Sequence, residues 1–63
     1  TGETFNRYLT RLRIDKAKDL LLYSDMKNYE IAAAVGYDGA SYFARVFKKV
    51  VRMTPTEFRQ AYA

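Results

Sequence analysis

The sequence predicts an all-α fold of four helices with no strand. Apolar residues recur at the 3.6-residue spacing of helices, and the two-residue alternation of strands is weak throughout. Gly36, Gly39 and Pro55 stand between the helical segments, where they act as boundaries. With 63 residues, of which 49% are hydrophobic, the chain forms one small domain or part of one, around a limited core.

The first helix is predicted from about Phe5 to Tyr23, with Thr4 as its N-cap. Its apolar residues form two stripes, rotated by roughly 140° from each other. The early stripe is Phe5, Tyr8, Leu9 and Leu12, and the later stripe is Ile14, Ala17, Leu20 and Leu21. Two displaced stripes predict a helix that packs on different partners at its two ends. The alternative is a short helix enclosed by its own bundle.

The second and third helices are predicted as a pair joined by a tight glycine turn. The second spans about residues 28–35 and ends at Gly36, which can adopt the positive φ of a helix terminus. The third spans about residues 40–50 and is capped by Asp38 or Gly39. Apolar spacing along the third helix indicates a stripe that includes Val50. The predicted inward-facing residues of the pair are Ile31, Ala32, Val35, Phe43, Val46 and Phe47.

The fourth helix, about residues 55–62, has the clearest start. Thr54 is the predicted N-cap, Pro55 takes the first helical position, and Glu57 completes a capping box. Phe58 and Tyr62 then share one face, a turn apart.

Positive charge is concentrated on the third helix. The formal net charge is +4, with 11 basic and 7 acidic residues. Arg45, Lys48, Lys49 and Arg52 follow one another without an acid, which leaves 7 basic residues to balance the 7 acidic ones elsewhere. Such a stripe is typical of phosphate binding. A solvated basic helix face would explain the charge equally well.

Missing residue types exclude several function classes. Cysteine and histidine are absent, which removes the usual zinc ligands, the thiol nucleophile and the commonest general base. We therefore expect no enzyme and no cofactor. No apolar run approaches the ~20 residues that span a bilayer, so a membrane protein is not expected either. The lack of cysteine favours a reducing, cytoplasmic setting.

The glycine turn and the basic helix together predict a helix-turn-helix unit of the homeodomain-like kind. Ala32 is small enough to allow a steep crossing of the two short helices, and the basic third helix would then enter the major groove of DNA. Glycine turns also join helices in plain bundles. Here, however, the turn and the charge coincide on one element.

Three segments resemble the AraC/XylS family of bacterial transcription regulators. Residues 31–49, IAAAVGYDGASYFARVFKK, are similar to the family's helix-turn-helix signature, and residues 53–59, MTPTEFR, to its closing helix. Residues 1–22 resemble its linker helix. The resemblance implies a domain of two helix-turn-helix units joined by a long helix. This chain would be its C-terminal part, a partial fold, with the first unit upstream of Thr1.

The third helix supplies the candidate DNA contacts. We expect base contacts near its start and from Arg45, which could bind guanine through two hydrogen bonds, although a phosphate contact or solvation would also suit Arg45. Tyr42 could instead pack on the first helix. Residues further along carry point charges suited to phosphates. The predicted base contacts are Ala40, Ser41, Tyr42 and Arg45, and the predicted phosphate contacts are Lys48, Lys49 and Arg52.

Three positions depart from the family pattern. Arg52 stands where the family usually has glycine, and arginine at positive φ costs on the order of 1 kcal/mol, so a strained or altered turn is expected. Gly39 and Ala40 replace more polar residues, and neither offers a side-chain hydrogen bond to a base.

The expected partners follow from these assignments. They are double-stranded DNA, RNA polymerase as a candidate second partner, and a further copy of the chain bound through Phe5, Tyr8, Leu9 and Leu12. A helical protein-interaction module and a peripheral membrane module remain alternatives. Salt separates them from DNA binding, because phosphate binding weakens steeply with salt whereas apolar docking does not.

Overall fold

Residues 4–63, which the computed structural model describes, form four α-helices and no strand. The helices are α1 (Phe5–Tyr23), α2 (Asn28–Ala34), α3 (Ala40–Val51) and α4 (Pro55–Tyr62). The all-α prediction is confirmed; α2 ends one residue earlier and α3 one residue later than the sequence predicts. Residues 1–3, where the resemblance to the linker helix begins, lie outside the described residues. Within residues 4–63, no helix is long and apolar enough to cross a membrane.

The two apolar stripes of α1 have different surroundings. The helix begins at Thr4, whose Oγ1 accepts a hydrogen bond from the Arg7 backbone N–H at 3.2 Å. Its later stripe enters the core, with Ile14, Ala17 and Leu21 fully buried and Leu20 partly buried. The early stripe is largely exposed, with 74% of Phe5 accessible and Tyr8 and Leu12 each about half accessible. Only the C-terminal half of α1 therefore packs into this bundle.

The turn after α2 is closed by two backbone hydrogen bonds. Gly36 N–H donates to the Ala33 carbonyl at 3.2 Å, and Tyr37 N–H donates to the Ala32 carbonyl at 2.8 Å. Gly36 adopts φ 98°, a left-handed conformation that side chains disfavour. This is the Schellman pattern, which satisfies the last carbonyls of α2 while the chain reverses towards α3.

Aromatic rings fill the core where the helices meet. Phe43 and Phe47 are fully buried, with ring centroids 5.7 Å apart, and Phe58 of α4 lies 5.6 Å from Phe47. Tyr37 extends the row, 5.9 Å from Phe43. These ring contacts hold α3 against α4 and against the turn that follows α2. The buried apolar residues are Ile14, Ala17, Leu21, Ile31, Ala32, Val35, Tyr37, Phe43, Phe47 and Phe58.

Two members of the apolar stripe of α3 are less buried than the sequence predicts. Val46 is only partly buried, and 43% of Val50 is accessible. Both line an open cleft between α3 and the start of α1. The inward face of α3 is therefore rotated away from Val50, and Val51 packs against the core instead.

The start of α4 carries the predicted capping box. Thr54 N–H donates to Glu57 Oε1 at 2.9 Å, and Glu57 N–H donates to Thr54 Oγ1 at 3.1 Å. The backbone hydrogen bond from Thr54 lowers the pKa of the Glu57 carboxyl, with further lowering from the Thr54 side chain and the Lys48 charge. The carboxylate form thus favours the start of this helix.

Arg59 ties α4 to the end of α1. Its Nε donates to the Leu21 carbonyl at 2.9 Å, and its Nη2 donates to the carbonyls of Ser24 at 3.2 Å and Met26 at 2.8 Å. One guanidinium thus satisfies three carbonyls where α1 stops and the chain turns. This contact fixes the connector that leads into the helix-turn-helix pair.

Candidate nucleic-acid interface

The face of α3 opposite its buried rings is exposed and basic. Phe43 and Phe47 point inward, which turns Ser41, Arg45 and Lys48 to the other side of the helix. Those three side chains and Lys49 are exposed, and residues 40–52 contain no acid. The helix therefore presents a polar, cationic surface about three turns long.

Tyr42 and Arg45 are neighbours on this surface. The Arg45 guanidinium carbon lies 5.9 Å from the centroid of the Tyr42 ring, within the range of a cation–π contact. Tyr42 also packs edge-on against Tyr37, with centroids 5.6 Å apart, and lines the cleft beside α1. About half of the Tyr42 side chain (54%) stays accessible. Its ring thus both packs and remains available at the edge of the surface.

The first turn of α3 has no side-chain cap. Gly39 occupies the N-cap position in an extended conformation and offers no side-chain hydrogen bond. A Cβ built on Gly39 would meet no atom within 4 Å. Ala40 is partly buried, so of the four predicted base contacts it is the least exposed.

Arg52 ends α3 in the left-handed conformation, at φ 73° and ψ 13°. Its N–H donates to the Lys48 carbonyl at 2.8 Å, and the residue is exposed. The turn therefore keeps the form that glycine would give it, at a conformational cost on the order of 1 kcal/mol. Arg52 also adds a fourth cation, after Arg45, Lys48 and Lys49, at the end of the basic surface.

Arg13 of α1 covers the turn of the helix-turn-helix pair. Its guanidinium carbon lies 5.4 Å from the centroid of the Tyr37 ring, and a Cβ on Gly36 would approach it to 3.4 Å. The Tyr37 hydroxyl is buried without a hydrogen-bond partner within residues 4–63.

Residues 4–63 also hold no cluster of three potential metal ligands.

A family model described as a helix-turn-helix domain matches residues 1–61. The chain belongs to the AraC/XylS family. Members of this family are transcription regulators rather than enzymes.

Relatives and solved structures of AraC/XylS type agree with this assignment. The chain is 44% identical over 62 residues to YesN, an uncharacterized transcriptional regulatory protein of Bacillus subtilis, covering 95% of this chain and 17% of YesN. It is 41% identical to the transcriptional activator RhaR of an Enterobacter species, covering 94% of this chain and 21% of RhaR. The C-terminal domain of AraT, a response regulator from Geobacillus stearothermophilus, superposes with a TM-score of 0.93 at 40% identity, covering 95% of this chain and 50% of that one. The chain thus spans about a fifth of the curated relatives it matches.

Sequence reasoning missed two residues of the AraC/XylS-type unit. It gave Tyr37 no place in the core, whereas the structure buries its ring there while its backbone lies in the turn. It gave Arg13 no role, whereas Arg13 covers that ring. The signal for Tyr37 was its place directly after the helix-ending glycine, where an apolar residue commonly packs back on the helix.

Proposed function

We propose that this chain binds double-stranded DNA sequence-specifically, with α3 in the major groove. The observation that carries the proposal is the exposed, acid-free face of α3, held outward by a helix-turn-helix turn and two buried phenylalanines. The groove admits one α-helix, and a cationic face is attracted to the phosphates and releases their condensed counterions.

Roles along α3 follow from the exposure of its side chains. Arg45 is the first candidate for reading a base, because its planar fork matches the two acceptors of guanine. Ser41 and Tyr42 lie in the turn nearest the groove floor, and Ala40 offers only a methyl contact. Lys48, Lys49 and Arg52 are proposed phosphate contacts, which orient the helix without reading sequence.

The assignment of each helix to a part of the larger domain rests on the family to which the chain belongs. We infer that α1 is the linker helix, residues 28–51 the second helix-turn-helix unit and α4 the closing helix of an AraC-type domain. RhaR is named an activator, which makes RNA polymerase a candidate partner of the whole regulator. Because its proposed ligand is chromosomal DNA, we propose that the regulator acts in the bacterial cytoplasm and associates with the nucleoid when bound.

A fluorescence-anisotropy titration with labelled duplex DNA tests the proposal. One helix-turn-helix unit makes few phosphate contacts, so we expect a dissociation constant in the micromolar range or weaker at physiological salt. Raising the salt concentration should weaken binding steeply. Salt-independent binding to a protein, or equal binding to vesicles of matched charge density, would instead support one of the alternative modules.

We further propose that the early stripe of α1 binds a second copy when no other partner covers it. Phe5, Tyr8 and Leu12 are exposed and Leu9 is half-buried, and burying a large apolar side chain gains roughly 1.5–3 kcal/mol. Sedimentation should therefore show association at high protein concentration. Replacing Phe5 and Leu12 together by lysine should shift the chain to monomer without altering its helix content. A wild-type monomer at millimolar concentration contradicts this prediction.

A further inference from the structure

The first part of α1 carries a second group of basic residues. Arg7, Arg11 and Arg13 occur within residues 4–14 without an acid, and Asp15 is the first acidic residue after them. Summing charges over the chain hides this group, because later acids balance it in the total. The fold brings part of the group next to α3.

An open cleft of about 540 Å³ separates the start of α1 from α3. Arg7 and Arg11 line its α1 side and Lys49 lies on its α3 side, and among residues 4–63 no acidic residue contributes to its walls. Val46 and Tyr42 supply apolar surface between these cations. Asn6 and Thr10 add polar groups, and the Thr10 hydroxyl donates to the Asn6 carbonyl at 2.8 Å.

The cleft is continuous with the basic face of α3. Lys49 and Tyr42 belong to both, and Arg45 contacts the Tyr42 ring from the outward side. A duplex that receives α3 in its major groove must carry a sugar–phosphate strand along each side of that helix. On the side of Tyr42 and Lys49, the strand would meet the cleft.

We propose that Arg7 and Arg11 of α1, with Lys49 of α3, form a second phosphodiester-binding site for the same duplex. The inference rests on the proposed function and extends the footprint from one helix to two. Three cations around one cleft favour a polyanion, and their position beside the groove-facing helix makes the DNA backbone the expected polyanion. These contacts strengthen binding without reading sequence.

The test compares salt dependence of affinity among charge-matched variants. Arg7→Gln and Arg11→Gln remove one exposed cation each from the cleft, whereas Lys16→Gln removes an exposed cation from the opposite side of α1. Each arginine variant should bind random duplex about three- to fivefold more weakly near 0.1 M salt, and flatten the logarithmic salt slope by about 0.9. Lys16→Gln should leave the slope close to that of the wild type. Circular dichroism checks that each variant folds.

Lys48→Gln, on the proposed recognition face, distinguishes two failures. If it weakens binding and flattens the slope while the arginine variants behave like Lys16→Gln, the cleft is not a phosphate site and the proposed function stands. If none of the four variants changes the affinity or the slope, both the cleft and the proposed function are wrong.

Discussion

Replacing Arg59 with methionine is expected to lower the free energy of unfolding by about 3 kcal/mol. The change removes three charge-assisted hydrogen bonds and leaves the carbonyls of Leu21, Ser24 and Met26 without their donor in a partly buried site. A chain of this size has roughly 3–9 kcal/mol of total stability, so the loss is a large share of it. Thermal and urea denaturation followed by circular dichroism measure the change.

Two variants show whether geometry or charge is responsible. Arg59→Lys keeps the charge but cannot direct donors to three carbonyls at once, so it should recover only a small part of the loss. Arg45→Ala removes an exposed arginine and should change stability by less than about 0.5 kcal/mol. A loss below 1 kcal/mol in Arg59→Met would mean that water replaces the guanidinium at little cost.

Replacing Arg45 with alanine is expected to weaken binding to the preferred DNA site by about 5- to 150-fold, or roughly 1–3 kcal/mol. Random duplex should be affected much less, because base reading contributes little there. The preferred site is first obtained by selecting bound duplexes from a random pool. Affinities for that site, for its single-base variants and for random duplex then identify the base pair at which preference is lost.

Matched variants separate base reading from charge. Arg45→Lys retains the positive charge but not the planar fork, so random-DNA affinity should persist while preference at one base pair relaxes. Lys48→Ala should weaken all duplexes about equally and flatten the salt slope by about 0.9. If Arg45→Ala lowers specific and random affinity by the same factor, Arg45 binds phosphate rather than a base.

Most of the fold could be predicted because the start and end of each helix depend on residues close to it in the sequence. Thr4, Gly36 and the Thr54–Glu57 capping box each act within a few residues, and the helices begin and end where these signals stand. Spacing also predicts the two displaced stripes of α1, whereas the exposure of the early stripe is known only from the packed helices. Arg52 is an exception, because its left-handed turn persists although the residue is not glycine, so the surrounding structure rather than the residue itself holds the turn.

Long-range contacts could not be predicted in this way. Arg59 reaches Leu21 across 38 positions of sequence, and no pattern around either residue indicates that they meet. Likewise the cleft, which adds Arg7 to the surface near Lys49, depends on the angle between α1 and α3. The candidate residues on α3 could be chosen from the sequence, whereas the extent of the surface around them required the packed helices.

The open space at Gly39 bears on how regulators of this kind diverge. Its backbone is extended, as any residue allows, and an added Cβ would touch nothing within 4 Å. At a packed position of so small a domain, a change that alters recognition usually also weakens the fold, whereas an exposed position such as Arg45 escapes this coupling. At Gly39 as well, recognition and folding stability are uncoupled. A duplicated gene could acquire new side chains at the start of α3, and with them a new operator, without first gaining stability elsewhere.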